Sequence, residues 1–333
     1  MNKFPRLIPN PNEVLPVAGN ALYTILSVRL ISLYVIVGGL TSIDRLFLTM
    51  SLLMLFLISK REVDNVDVVE NRRGIIRFHH GAVERVQDKI VTEYPVTIKI
   101  NGEEFATMVC SPEHIVDMAI GFLASEGVIQ RYDDIDDIWF EDKAGFVHIK
   151  TKKMNEFYQK FHSKRYITSC CGKSRQGFYF INDAKTAKVM AAINVTLSFD
   201  DCFRLMGLMQ SSAEIFQETG GVHNAALCNK HDIILSRMDI GRHNALDKIY
   251  GYCLIHNVSL TGKIIVFSGR ISSEILLKVA KIGCEVVLSK SAPTELALQL
   301  ADELGITTVG FIRNHCLNVY THPQRIEGIA LNQ

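Results

Sequence analysis

Residues 263–304 constrain the fold most. They read in immediate succession as an apolar run, an amphipathic helix, a second apolar run and a second helix. Such alternation closes as parallel strands joined by crossover helices. Parallel strands are buried on both faces, so they read as near-continuous apolar runs, as 263–268 and 285–289 do. A further strand is expected at 307–312 and another at 233–237; helices are expected at 199–218, 244–256, 273–282 and 294–304. Residues 166–333 are thus expected to form an α/β domain, a partly parallel sheet covered by helices. Ligands of such sheets sit beyond the carboxyl ends of the strands. Here those ends run into Ser268-Gly269-Arg270 and Ser289-Lys290-Ser291.

Residues 66–165 read differently. A β-branched run at 91–100 meets Asn101-Gly102, the preferred pair for a tight type I′ turn, and returns over 103–110. Ser111-Pro112-Glu113 carries helix-start chemistry, with Ser111 as N-cap and proline in the first turn, and the helix is expected to run to Ser125. A second strand pair is expected at 135–141 and 146–151. Hairpin, helix and hairpin make a smaller α+β domain.

Residues 1–65 form an apolar extension with a charged linker at its end. Its uncharged runs, 30–43 and 46–59, are split by Asp44 and Arg45, and Arg29 precedes them. Each is shorter than the roughly 20 residues a spanning helix needs. Three readings stand: a membrane hairpin, a buried helical pair, or an extension the functional domain does not use. The division and length fit a secretory signal poorly.

The formal net charge of +1 argues against a dedicated nucleic-acid binder. Eight cysteines, at 110, 170, 171, 202, 228, 253, 284 and 316, form no secreted disulfide framework. A cytoplasmic location is expected, with membrane association through residues 21–58 as the alternative. Lone cysteines in that setting are mostly small buried hydrophobes.

The exception is the adjacent pair Cys170 and Cys171, within Thr168-Ser-Cys-Cys-Gly-Lys-Ser-Arg175. Lys173 and Arg175 favour thiolate over thiol, and Gly172 lets a partner approach closely. The alternative is two packed cysteines at a strand-to-loop transition. A structural zinc site would need a second cysteine cluster, and no metal site is expected. The zinc-deaminase signature is absent, and so is a phosphate loop, since Ile167 stands where its first glycine would be. Gly220-Gly221-Val222-His223-Asn224 and Asp239-Ile240-Gly241-Arg242-His243-Asn244, with Asp247 and Lys248 one turn on, read either as a polar pocket floor or as caps and satisfied histidines. Arg270 and Lys290, at strand ends that open helices, suit a phosphate. The stretch Phe311, Ile312, Arg313, Asn314, His315 and Cys316 ends another strand with a guanidinium, an amide and an imidazole.

Five blocks in order resemble the formate dehydrogenase accessory sulfurtransferases (the FdhD family): Ser-Cys-Cys-Gly-Lys-Ser-Arg from Ser169, Glu-Thr-Gly-Gly-Val-His-Asn-Ala-Ala from Glu218, Asp-Ile-Gly-Arg-His-Asn-Ala-Leu-Asp-Lys from Asp239, Phe-Ser-Gly-Arg-Ile-Ser-Ser-Glu from Phe267, and Ser-Lys-Ser-Ala-Pro-Thr from Ser289. The resemblance spans about residues 69–326, so the first 65 residues have no counterpart in it. It implies a cytidine-deaminase-like core behind the small domain, a homodimer, and a sulfur carrier. A cysteine desulfurase would load a cysteine persulfide, and the sulfur would pass to the bis-molybdopterin guanine dinucleotide cofactor of the formate dehydrogenase catalytic subunit. Many members space their two cysteines by two residues, whereas here they are adjacent. An ungapped match on Cys-Gly-Lys makes Cys171 the carrier and puts Thr168 on the first family cysteine. A gapped match gives that first place to Cys170, kept as a relay. The family's cofactor-binding segment maps onto Phe311–Cys316. The alternative function is a cofactor-binding chaperone whose thiol only grips its ligand.

Overall fold

The computed structural model describes residues 70–152, 165–167 and 187–329. The apolar run at 21–58 and the cysteine loop at 168–175 lie outside the described residues. Asp67–Gln333 is one compact unit, to which every element below belongs. Among the described residues no helix is long and apolar enough to cross a membrane.

The chain enters through a two-stranded antiparallel ribbon, β1 (Glu70–His79) and β2 (Ala82–Val91), paired along its whole length. His80 and Gly81 turn it, both with positive φ. The expected hairpin follows as β3 (Tyr94–Ile100) and β4 (Glu103–Cys110). Asn101 and Gly102 have φ of 51° and 91°, the left-handed pair a type I′ turn demands. The strand expected from residue 91 starts at Tyr94, because Val91 closes the ribbon instead. The second expected pair is β5 (Ile135–Glu141) and β6 (Phe146–Thr151). With β7 (Arg165–Ile167) they complete a five-stranded sheet of order β5-β6-β3-β4-β7.

Helix α1 (Ile115–Ser125) ends where its sequence predicts, but Ser111 does not cap it. The N-cap position falls on His114, in the left-handed region at φ 54°. Ser111 is fully buried, and both its backbone N–H and its hydroxyl donate to the Asp239 carboxylate at 3.0 and 3.1 Å. A carboxylate buried at that spot competes for the serine more strongly than a helix end does.

The second sheet is six-stranded, of order β13-β12-β11-β10-β8-β9. Its strands are β8 (His223–Cys228), β9 (Ile233–Asp239), β10 (Ile264–Phe267), β11 (Val286–Ser289), β12 (Thr307–Arg313) and β13 (Cys316–Thr321). Strands β10, β11 and β12 are parallel as expected; β8 and then β9 continue the sheet antiparallel on one side and β13 on the other. The helices are α2 (Phe199–Ser211), α3 (Glu214–Thr219), α4 (Arg242–Ile255), α5 (Ser273–Ile282) and α6 (Glu295–Leu304). The single helix expected at 199–218 is broken at Ser212-Ala213 into α2 and α3.

Alternate residues of the central strands serve two cores. Ile265, Phe267 and Val287 join one with α4, α5 and α6. Ile264, Val266, Val286 and Leu288 join the other with Leu205, Met206 and Met209 of α2. Helix α4 is buried without a break from Asn244 to Gly251, as befits a helix packed on several sides. It touches α1 through a reciprocal glycine contact. A Cβ on Gly121 would lie 1.8 Å from the Asp247 carbonyl oxygen, and one on Gly251 would lie 1.8 Å from that of Asp117.

Candidate functional site

A cavity of about 570 Å³ opens at the carboxyl ends of β10 and β11. Its far wall, where α2 breaks into α3, is Met209, Ala213 and Phe216 with the amides Gln210 and Gln217 beside them. His223 and Asn224 begin β8, which runs antiparallel to β10 and so starts at this edge. Arg242 comes from the first turn of α4; Ser268, Gly269, Arg270, Lys290 and Ser291 come from the loops after β10 and β11.

The serines build these loops and are not free for a ligand in this arrangement. Ser268 Oγ accepts from Asn224 N at 2.9 Å, and Ser289 Oγ donates to the Gly269 carbonyl at 2.8 Å. Ser291 Oγ donates to the Ser268 carbonyl at 3.0 Å. Gly269 is required by proximity, since a Cβ there would lie 3.0 Å from the Phe267 ring and 3.4 Å from His223 Nδ1. The chemistry is left to Arg242, Arg270, Lys290 and His223. Among the described residues no carboxylate lines the cavity, and neither Arg270 nor Lys290 has an ion-pair partner. Burial, then the charges of Arg242 and His243, push the His223 imidazole below the usual histidine range. The cavity is therefore positive, with one apolar wall. It suits an anion such as phosphate attached to an organic body.

The Asp239–Lys248 block resolves largely into structure. Asp239 and Lys248 are fully buried and meet at 2.7 Å. Asp239 also accepts from Gly241 N at 2.8 Å and Asn244 Nδ2 at 2.9 Å, besides Ser111. Asn244 Nδ2 bonds the Val109 carbonyl too, at 3.0 Å. The end of β4 is thereby bolted to the first turn of α4, which carries Arg242 to the cavity. Lys278 pairs with Asp247 at 2.5 Å, and His243 lies 3.1 Å from Glu274.

Of the residues expected to bind a cofactor, Arg270 and Lys290 line the cavity together. Phe311, Ile312, Arg313, Asn314, His315 and Cys316 form the end of β12 and its turn into β13, outside the lining residues. That turn adjoins the cavity loops, because Phe311 N donates to the Ser291 carbonyl at 3.3 Å. Ile312 is buried, Arg313 lies 5.4 Å over the Phe311 ring, and His315 meets the Phe203 ring at 5.8 Å. Cys170 and Cys171 lie outside the described residues. The α2–α3 wall gave no motif to find; only its apolar helical spacing is visible in the sequence.

The remaining cysteines divide sharply. Cys110, Cys202, Cys228, Cys253 and Cys284 are buried, and Cys316 is exposed. Burial pushes the thiols of Cys110, Cys202 and Cys228 up to about 12 and that of Cys253 to about 11. Among these six, iodoacetamide near neutral pH should label Cys316 alone until the protein is unfolded, as read by peptide mass spectrometry. Rapid native labelling of Cys228 or Cys253 would contradict this burial. No group of three or more side chains suited to hold a metal ion occurs among the described residues.

The family model described as FdhD/NarQ matches residues 91–327. The chain belongs to the FdhD/NarQ family. Its relatives include the sulfur carrier protein FdhD of Shouchella clausii, 58% identical over 78% of this chain and 97% of that one. The sulfur carrier protein FdhD of Bacillus subtilis is 53% identical over 78% of this chain and 98% of that one. A crystal structure of a protein described as a formate dehydrogenase accessory protein, from Desulfotalea psychrophila, superposes with a TM-score of 0.63 over 78% of this chain and 99% of that one. At 22% identity that likeness speaks for the fold. Every lining residue of the cavity lies within the FdhD/NarQ match.

Proposed function

We propose that this protein is a sulfur carrier in the maturation of formate dehydrogenase. The observation that carries the reading is the family match, with relatives at 50–58% identity that are named sulfur carrier proteins. In the proposed reaction the Cys171 thiolate attacks the terminal sulfur of a cysteine desulfurase persulfide. The S–S bond on the desulfurase breaks as the one on Cys171 forms, and the desulfurase cysteine leaves as a thiolate. Cys170 stands beside it as a relay. The persulfide S–S bond then breaks as its outer sulfur bonds the molybdenum of the bis-molybdopterin guanine dinucleotide cargo. The reduced metal supplies the electron pair, Cys171 leaves as a thiolate, and the cargo goes on to the formate dehydrogenase catalytic subunit.

The cavity supports the cargo half of this reading. Arg242, Arg270 and Lys290 supply three cationic groups around a space of about 570 Å³, within the range of small-molecule sites. A diphosphate-bearing nucleotide matches that charge. We further propose a cytosolic homodimer and a cytidine-deaminase-like core, in keeping with a mixed sheet covered by helices on both faces.

Two measurements test the proposal. Incubation with a cysteine desulfurase and cysteine should add the mass of one sulfur, about 32 Da, to the peptide spanning 168–175, on Cys171. A protein that binds the cofactor but never gains the adduct would be a chaperone. Arg270→Ala should weaken guanosine diphosphate binding by about tenfold or more, since a charge-assisted bond contributes about 1.5–3 kcal/mol. Unchanged affinity by calorimetry would move the ligand away from this cavity.

A further inference from the structure

His223 stands in an unusual electrostatic position within the cavity. Arg242 of α4 lines the cavity with it, the charge of His243 on the same helix also acts on it, and Arg270 and Lys290 line the same space from the loops after β10 and β11. The carboxylate acting on it is Asp239, its cross-strand partner. Asp239 is already engaged by Lys248, Ser111, Gly241 and Asn244. His243 differs, since Glu274 lies 3.1 Å from its ring. Among the described residues the His223 ring has no hydrogen-bond partner. A charged imidazole is costly there until an anion arrives.

Accordingly, we propose that His223 is a ligand-contacting residue that takes up a proton as a phosphate group enters the cavity between it, Arg242, Arg270 and Lys290. The inference rests on the reading of the cavity as a site for a diphosphate-bearing ligand. It adds a selection rule: the site prefers a group whose negative charge can meet an imidazolium as well as fixed cations. Burial and the same cations hold the imidazole down in the free protein. A bound phosphate reverses the field and raises it. The complex then holds more protons than the free protein, so binding strengthens as pH falls. The dependence is at most about tenfold per pH unit, confined between the raised and the lowered values.

The test is calorimetry of guanosine diphosphate with the full chain, at pH 7, in buffers of different ionisation enthalpy. The nucleotide's own terminal phosphate titrates nearby, so the quantity read is the difference between wild type and His223→Gln. The wild type should take up more protons than the variant, and its affinity advantage should grow as pH falls from about 8 to about 6, by at most about tenfold per pH unit. Equal proton counts and equal pH slopes would overturn the role of His223 while leaving the cavity as the site. Absence of binding to either protein would overturn the cavity reading and this inference with it. Should His223→Gln not fold, the wild-type His223 ring resonance provides the same decision. Its titration should move to higher pH when guanosine diphosphate is added, and an unmoved titration in the presence of bound nucleotide would count against the proposal.

Discussion

Lys248→Ala is expected to destabilise the protein by about 3–5 kcal/mol, the cost of removing one partner from a buried ion pair. Lys248 and Asp239 are both without solvent exposure and meet at 2.7 Å. The ammonium also donates to Ser111 Oγ at 3.0 Å and to the Met238 carbonyl at 3.1 Å. Two effects compete in such a pair. Taking both charges out of water is costly, and their mutual attraction with the surrounding hydrogen bonds offsets that cost. Deleting the lysine keeps the first cost for Asp239 and discards most of the offset. The double variant Asp239→Asn/Lys248→Met should therefore recover a large part of the loss, because it removes the buried charge together with its partner. Chemical denaturation of both variants measures the difference. If Lys248→Ala loses less than about 1.5 kcal/mol, or the double variant is no better, the pair is not the buried charge couple described here.

Gly251→Ala should be comparably damaging, although alanine is the better helix former. Propensity alone favours the change by about 1 kcal/mol. Against it, the new Cβ would lie 1.8 Å from the Asp117 carbonyl oxygen of α1, a backbone atom that cannot swing aside. The two helices must separate by more than an ångström, which opens the core they share. Overpacking of this kind costs about 1–3 kcal/mol and more where backbone must move. We expect a net loss of about 3 kcal/mol or failure to accumulate as folded protein, with Gly121→Ala behaving alike because the contact is reciprocal. Gly207→Ala provides the opposite case. It sits in α2 with nothing within 4 Å of its Cβ position, and it should raise stability by up to about 1 kcal/mol. Thermal or denaturant unfolding of the three variants gives the signs. A neutral Gly251→Ala would mean that α1 and α4 do not approach as closely as drawn.

The elements that sequence reading placed well are those whose physics is local. Helix α5 spans the expected residues because Ser272 caps it through Ile275 N and Gly283 ends it in the left-handed region. Strands β5 and β6 fall where their alternation and flanking turns put them. The ribbon β1–β2 was not legible, since its strands carry many charges and are mostly exposed, leaving no buried face to impose a period. Strand β8, rich in alanine and buried on both sides, has neither β-branched residues nor alternation to reveal it.

By itself the sequence determined the parallel run from β10 to β12, which residues stand at its strand ends, and membership of a family through blocks such as Ser268-Gly269-Arg270. Those features rest on neighbours in the chain, whose periodicity and turn residues act over a few positions. Only the tertiary structure decided that Ser111 leaves its helix for Asp239, that Arg242 and His223 join Arg270 and Lys290 in one cavity, and that α2 supplies its apolar wall. Each of those outcomes depends on burial and on charges brought together from distant segments. A serine, an arginine or a histidine acquires its role from the field and the partners that packing places around it.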